Sequence, residues 1–166
     1  MAKSAESCDN RCMKTLILGI GNDIMGDDAA GIHVARELTL LLEPGQADVR
    51  ETGVTGLNLI EMISGYDRLI VADAILTSRK TATGKIHRLE LKDLRETDGS
   101  ISPHEAGLRN TIELGKKIFP GRMPSVVIIF GIEIQDVAEI SVEMSPTVKA
   151  AIPQAVGMIL AELKTA

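Results

Sequence analysis

The sequence predicts an α/β fold, a three-layer sandwich with a central, mostly parallel twisted sheet and helices on both faces. Short runs dense in Ile, Leu and Val alternate with longer segments whose apolar residues recur at helical spacing. The runs Leu16-Ile17-Leu18, Leu69-Ile70-Val71-Ala72 and Val126-Val127-Ile128-Ile129-Phe130 carry no polar interruption, as strands covered on two faces should. Glycine-bearing turns separate these runs from the helices that follow.

Taken in order, residues 13–19 read as a buried first strand ending in the tight turn Gly19-Ile20-Gly21-Asn22. A helix beginning near Asp27 or Asp28 places Ala30, Val34, Leu38 and Leu41 on one face, and Pro44-Gly45 closes it. Residues 48–52 form a second strand, and residues 53–56 a glycine turn. Leu57, Ile60 and Ile63 line a short helix stopped by Ser64-Gly65. The third strand spans residues 68–72, with Asp73 at its carboxyl end. Residues 84–91 extend the sheet at an edge, and residues 92–99 are an exposed polar loop, a candidate lid.

Ser102-Pro103-His104-Glu105 carries three helix-start signals, a capping serine, a proline at the first position and a glutamate at the third. Leu108, Ile112 and Ile118 give that helix its apolar side. Residues 125–132 form a central strand, and Ser145-Pro146 starts a terminal helix packed through Val148, Ile152, Ala155, Ile159 and Leu163. Pro153 should bend it, because an interior proline lacks a donor. Residues 1–12 are expected to be a flexible extension and residues 13–166 one domain.

The 166 residues are 45% hydrophobic, enough for a core without a disulfide or structural metal. Phe119, Phe130 and Tyr66 are the only aromatic residues, and the formal charge is -5. Both facts oppose nucleic-acid binding, which needs stacking platforms and cationic surface. No apolar run is long enough to span a bilayer. Cys8 and Cys12, the only cysteines, precede the first strand and suit a reduced compartment, so a cytoplasmic location is expected.

Asp28, Asp73 and His104 are the residues with metal-binding chemistry at sites where parallel topology gathers loops, the carboxyl ends of strands. Two carboxylates and an imidazole would offer an O/O/N donor set to a first-row divalent cation. Each has a structural alternative. Asp27 or Asp28 could cap the first helix, Asp73 could accept backbone hydrogen bonds, and His104 could be an ordinary first-turn residue. His33 reads as a packing or boundary residue and His87 as an outward-facing strand residue. No GxSxG, dinucleotide or P-loop pattern occurs.

In their order these segments closely resemble the hydrogenase maturation protease family. The resemblance is carried by Leu18-Gly19-Ile20-Gly21-Asn22 with Asp27-Asp28-Ala29-Ala30-Gly31, by Thr55-Gly56, and by Leu69-Ile70-Val71-Ala72-Asp73-Ala74. Ser102-Pro103-His104-Glu105-Ala106-Gly107-Leu108 and Ser145-Pro146-Thr147-Val148 complete it. It implies a metal site of Asp28, Asp73 and His104, with Asp28 and Asp73 also as the catalytic carboxylates. It further implies an endopeptidase, classed as aspartic-type, that activates an enzyme by removing the C-terminal extension of a nickel-iron hydrogenase large-subunit precursor after nickel insertion. The nickel is expected to arrive with the substrate, another divalent cation occupying the site in isolation. A monomeric protein without nucleic-acid partners or membrane insertion is expected. The alternative is a nickel-sensing chaperone that leaves the tail intact. One departure is Glu51-Thr52-Gly53-Val54-Thr55-Gly56, where many relatives have an Asp-Gly-Gly-Thr-like segment.

Overall fold

In the computed structural model, residues 13–53, 56–76, 83–94, 103–135 and 142–165 are described, the side chains of 103–106 excepted. Strand β1 (Thr15–Ile20) leads through a 3-10 turn (Gly26–Ala29) into helix α1 (Ala30–Leu41). Then come β2 (Asp48–Thr52), α2 (Leu57–Ile63), β3 (Arg68–Leu76) and β4 (Ile86–Glu90). After a second 3-10 turn (Leu91–Asp93), α3 (Pro103–Ile118), β5 (Val126–Ile134) and α4 (Pro146–Leu163) complete the chain.

The sheet order is β2-β1-β3-β5-β4. β1 pairs in parallel with β2 and β3, and β3 in parallel with β5, while β4 is an antiparallel edge on β5. Strand alternation sends side chains to two cores. Ile17, Ile70, Ala72, Phe130 and Ile132 pack under α1 and α4. Leu16, Leu18, Leu69, Val71 and Ile129 pack with Leu59, Ile63, Leu108 and Ile112 from α2 and α3. The mostly parallel three-layer architecture is the one the sequence implies. Fully burying a Leu or Ile side chain contributes roughly 1.5–3 kcal/mol, so these two cores hold the layers together.

Several details differ from the sequence expectation. β3 does not stop at Ala72 but runs to Leu76, because β5 continues alongside it as far as Ile134. Leu41, Leu57 and Ile118 are terminal residues of their helices, and all three are exposed; Leu59, not Leu57, enters the core. Pro153 is exposed and lies within α4, which continues past it to Leu163. Ser145 does cap α4, its Oγ accepting from the Val148 amide at 3.4 Å. Residues 1–12, Thr55, Ser102 and residues 95–99 of the candidate lid lie outside the described residues. Among the described residues no helix is long and apolar enough to cross a membrane.

Candidate active site

Three glycines let the 3-10 turn and α1 settle directly onto the carboxyl ends of β1 and β3. A Cβ on Gly21 would run into the Asp28 carbonyl, and one on Gly31 into the carbonyls of Ile20 and Ala72. A Cβ on Gly19 would meet the Gly31 carbonyl and lie 2.7 Å from the Ala35 Cβ. Side chains at these positions would lift α1 off the sheet; hydrogen atoms let it close. Within the turn, Met25 N–H donates to the Asn22 carbonyl at 3.0 Å and Asp28 N–H to the Met25 carbonyl at 2.8 Å. The half-buried Asp28 is thus fixed by its backbone, while among the described residues its side chain makes no hydrogen bond or ion pair.

Asp73 is the sixth residue of β3 and only 1% exposed. β1 pairs with β3 from Thr15↔Arg68 to Gly19↔Ala72, so Asp73 follows the last β3 residue paired to β1. It still pairs with Gly131 of β5. The connection from β1 leads outward to β2, whereas β3 lies on the other flank of β1. The ends of β1 and β3 therefore form a topological switch point, where open α/β sheets have their crevice. Alternation assigns Asp73 to the face of Leu69 and Val71, the face covered by α2 and α3. His104 is the second residue of α3, and its side chain lies outside the described set. Among the described residues no three His, Cys, Asp or Glu side chains gather closely enough to hold a metal ion.

Asp27 has a different task from Asp28. Neither residue caps the helix that follows, since no side-chain cap forms at the 3-10 turn or at α1. Asp27 Oδ1 instead accepts from the Ser145 amide at 2.6 Å, a contact spanning 118 residues. It thereby binds the 3-10 turn to the start of α4. The same end of α4 touches the turn before β4, where a Cβ on Gly84 would lie 2.9 Å from Thr147 Cγ2.

On the β2 side, an open depression is lined by Gly21, Asn22, Asp23, Ile32, Arg36, Glu51, Thr52 and Gly53. Arg36 forks between two carboxylates here. Its Nη1 and Nη2 donate to Asp23 at 2.9 Å each, and its Nε reaches both Glu51 oxygens at 3.2 Å. The Arg36 hydrogen bonds hold the Asp23 carboxyl below its ordinary range, and Asp23 with Glu51 raises the guanidinium further. The cluster keeps one net negative charge at the rim of the depression. Sequence reading singled out Glu51 but not Asp23 or Arg36, which no local spacing connects.

His87 departs from its outward-facing expectation. Its Nε2 lies 2.9 Å from Glu133 Oε2, with side chains 26% and 4% exposed. His87 pairs with Gly131, which pairs with Asp73, so the three residues occupy one row across β4, β5 and β3. A glutamate just beyond an apolar strand run is the one sequence signal for this pair. His33 is exposed on α1, a boundary residue.

The chain matches a protein-family model described as hydrogenase maturation protease over residues 32–162. It is 30% identical over 154 residues to the hydrogenase 2 maturation protease of Escherichia coli, covering 92% of each chain. Its fold is similar to the solved hydrogenase maturating endopeptidase HybD from E. coli, with a TM-score of 0.77 at 30% identity, covering 92% of this chain and 93% of that one. It is also similar to a [NiFe] hydrogenase maturation protease HybD from Thermococcus kodakarensis, with a TM-score of 0.75 at 26% identity, covering 91% and 99%.

Proposed function

The chain belongs to the hydrogenase maturation protease family, peptidases of hydrogenase maturation, and on that premise we propose that it trims the C-terminal extension of a nickel-iron hydrogenase large-subunit precursor once nickel is in place. The observation that carries this reading is the position of Asp28 and Asp73 at the β1/β3 switch point, with His104 in the first turn of α3 on the Asp73 face. Two carboxylates and one imidazole match the donor preferences of a divalent first-row ion. Here the ion is part of the substrate: precursor nickel docks against Asp28, Asp73 and His104, and the tail is held beside them.

Hydrolysis then needs a water near the scissile carbonyl and a carboxylate to take its proton, the role of Asp28 or Asp73 in an aspartic-type reaction. Anchoring the tail removes much of the entropic barrier, and effective molarities in well-oriented reactions are worth roughly 7–11 kcal/mol. The reaction belongs to the cytoplasm, with the enzyme working as a monomer on one precursor at a time. Ligation by carboxylates and a neutral imidazole weakens as they protonate, so processing should decline on the acid side.

The test is incubation with matched nickel-free and nickel-loaded precursors, followed by intact mass measurement. Loss of the tail from the loaded form alone is the expected result. Equal trimming of both forms would overturn nickel recognition. Binding without trimming would identify a nickel-sensing chaperone instead.

A further inference from the structure

The Asp27-Asp28 pair looks like two equivalent carboxylates in the sequence, yet only one of them is committed to a distant backbone donor. Asp27 Oδ1 accepts the Ser145 amide at 2.6 Å, at the end of α4 where backbone donors face outward. Asp28, the next residue, has its carbonyl packed over Gly21. Its amide is fixed to the Met25 carbonyl at 2.8 Å. The turn between Gly21 and α1 is therefore held from two sides, by β1 beneath and by α4 beside it. The opening of α4 also abuts Gly84, in the turn before β4. One helix end is thus in contact with the segment that presents Asp28 and with the connection following the strand that bears Asp73.

We infer that Asp27 is a positioning residue, whose hydrogen bond to the Ser145 amide clamps the 3-10 turn against α4 and so fixes the direction in which Asp28 is presented. This rests on the reading that Asp28 acts at the cleavage site. The interaction needs an acceptor oxygen at residue 27 and an N–H at residue 145; it does not need a second charge beside Asp28. A metal-anchoring or base-forming role for Asp27 would need the charge itself, and that difference makes the two roles separable. Partners that orient a ligating group typically matter by 10–100-fold in activity.

Asn at residue 27 keeps an acceptor oxygen of the same reach, whereas Ala removes it. Ser145 has φ −62° and ψ 145°, a conformation that proline adopts. Ser145→Pro therefore removes the donated N–H together with the Oγ cap, and Ser145→Ala removes the cap alone. Turnover of nickel-loaded precursor is measured for these four variants and for the Asp27→Ala/Ser145→Pro double variant, at a temperature where each is folded. Hydrogen exchange at the residue 145 amide is followed for wild type, Asp27→Asn and Asp27→Ala.

The expected result is a kcat lowered at least about tenfold by Asp27→Ala and by Ser145→Pro. The double variant should be no worse than either, because both remove the same bond. Asp27→Asn should stay within about threefold of wild type and keep the Ser145 amide protected, and Ser145→Ala should process almost normally. The inference is overturned if Asp27→Asn is as impaired as Asp27→Ala, if Ser145→Pro behaves like Ser145→Ala, or if the two losses multiply. Asp28→Ala is run in parallel. If it still processes, the site reading falls; if it is inactive while Asp27→Ala is normal, only the clamp falls.

Discussion

The amino and carboxyl edges of the sheet are held by different kinds of contact. At the amino edge, carboxylates are paired to cations and amides that stitch strands to helices. Arg68, 4% exposed, donates to Glu162 Oε1 at 2.7 Å and to the Glu162 carbonyl at 3.0 Å. Arg88 holds the other oxygen of the same carboxylate at 2.8 Å. Asp67 accepts the Lys14 amide at 2.8 Å, and Asp48 accepts the Tyr66 hydroxyl at 2.6 Å. At the carboxyl edge, glycines bring the backbone of the 3-10 turn and α1 onto the ends of β1 and β3, the turn carrying Asp28 and β3 carrying Asp73. The clamp there is made by Asp27, one residue away. The contrast separates charges that hold the layers together from the carboxylates to which the proposed reaction is assigned.

The largest effect expected from this contrast is at the carboxyl edge. Exchanging Asp28, Asp73 or His104 for alanine should lower processing at least about a hundredfold, the scale for removing one group that acts on a reaction's developing charge. The far-ultraviolet circular dichroism should stay that of a folded chain. Normal turnover in any of the three would remove that residue from the site. Gly21→Ala sharpens the point without touching a carboxylate. The added methyl must displace the Asp28 carbonyl, and a shift near 1 Å can cost about a hundredfold in rate. Quantitative cleavage assays of the folded variant measure it.

The amino edge should show the reverse pattern, with stability lost and chemistry kept. Glu162→Ala strands the buried Arg68 guanidinium, and breaking such a pair costs about 3 kcal/mol in denaturant unfolding. Processing well below the new unfolding midpoint should remain within about twofold of wild type; a larger loss would mean that the two edges are coupled. The pair also sets an acid limit. The hydrogen bonds of Arg88, opposed by burial, hold the Glu162 carboxyl below its ordinary value of 4.5. A lowered folded-state pKa stabilises fully above the unfolded value and is lost as pH falls through the folded one. Wild type should thus lose stability below about pH 4.5, and Glu162→Gln should flatten that part of the profile.

How far the two edges were legible in the sequence follows from what kind of contact builds each. β2 occupies residues 48–52 as its pattern implied, and Ser145-Pro146 does start α4, because caps and alternation are local signals. The end of β3 differs because a carboxylate after an apolar run reads as a strand end, whereas pairing with β5 carries the strand four residues beyond Ala72, to Leu76. The contact between His87 and Glu133 escapes sequence reading for a related reason, since it belongs to the register of β4 on β5 rather than to either segment. Asp28 and Asp73 were proposed as site residues from an ordered set of motifs, whereas the hydrogen bond that distinguishes Asp27 from Asp28 joins residues 118 apart. No local pattern contains that information. Sequence reading likewise placed Leu41, Leu57 and Ile118 on packing faces, but each is a terminal residue of its helix and is exposed.

The smallest expected effect tests whether positive-φ glycines matter equally at both edges. Gly45, between α1 and β2 at the amino edge, has φ +88°, and a Cβ built there meets nothing within 4 Å. Alanine at that position bears only the left-handed backbone penalty of about 1–2 kcal/mol, with no clash added. For a chain of this length, each 1 kcal/mol lowers the melting midpoint by about 2–4 °C, which calorimetry resolves. Processing at low temperature should be unchanged, in contrast to Gly21→Ala. If Gly45→Ala instead impairs cleavage while remaining folded, glycine flexibility near β2 contributes to turnover, and the division between a stitched edge and a reactive edge is too sharp.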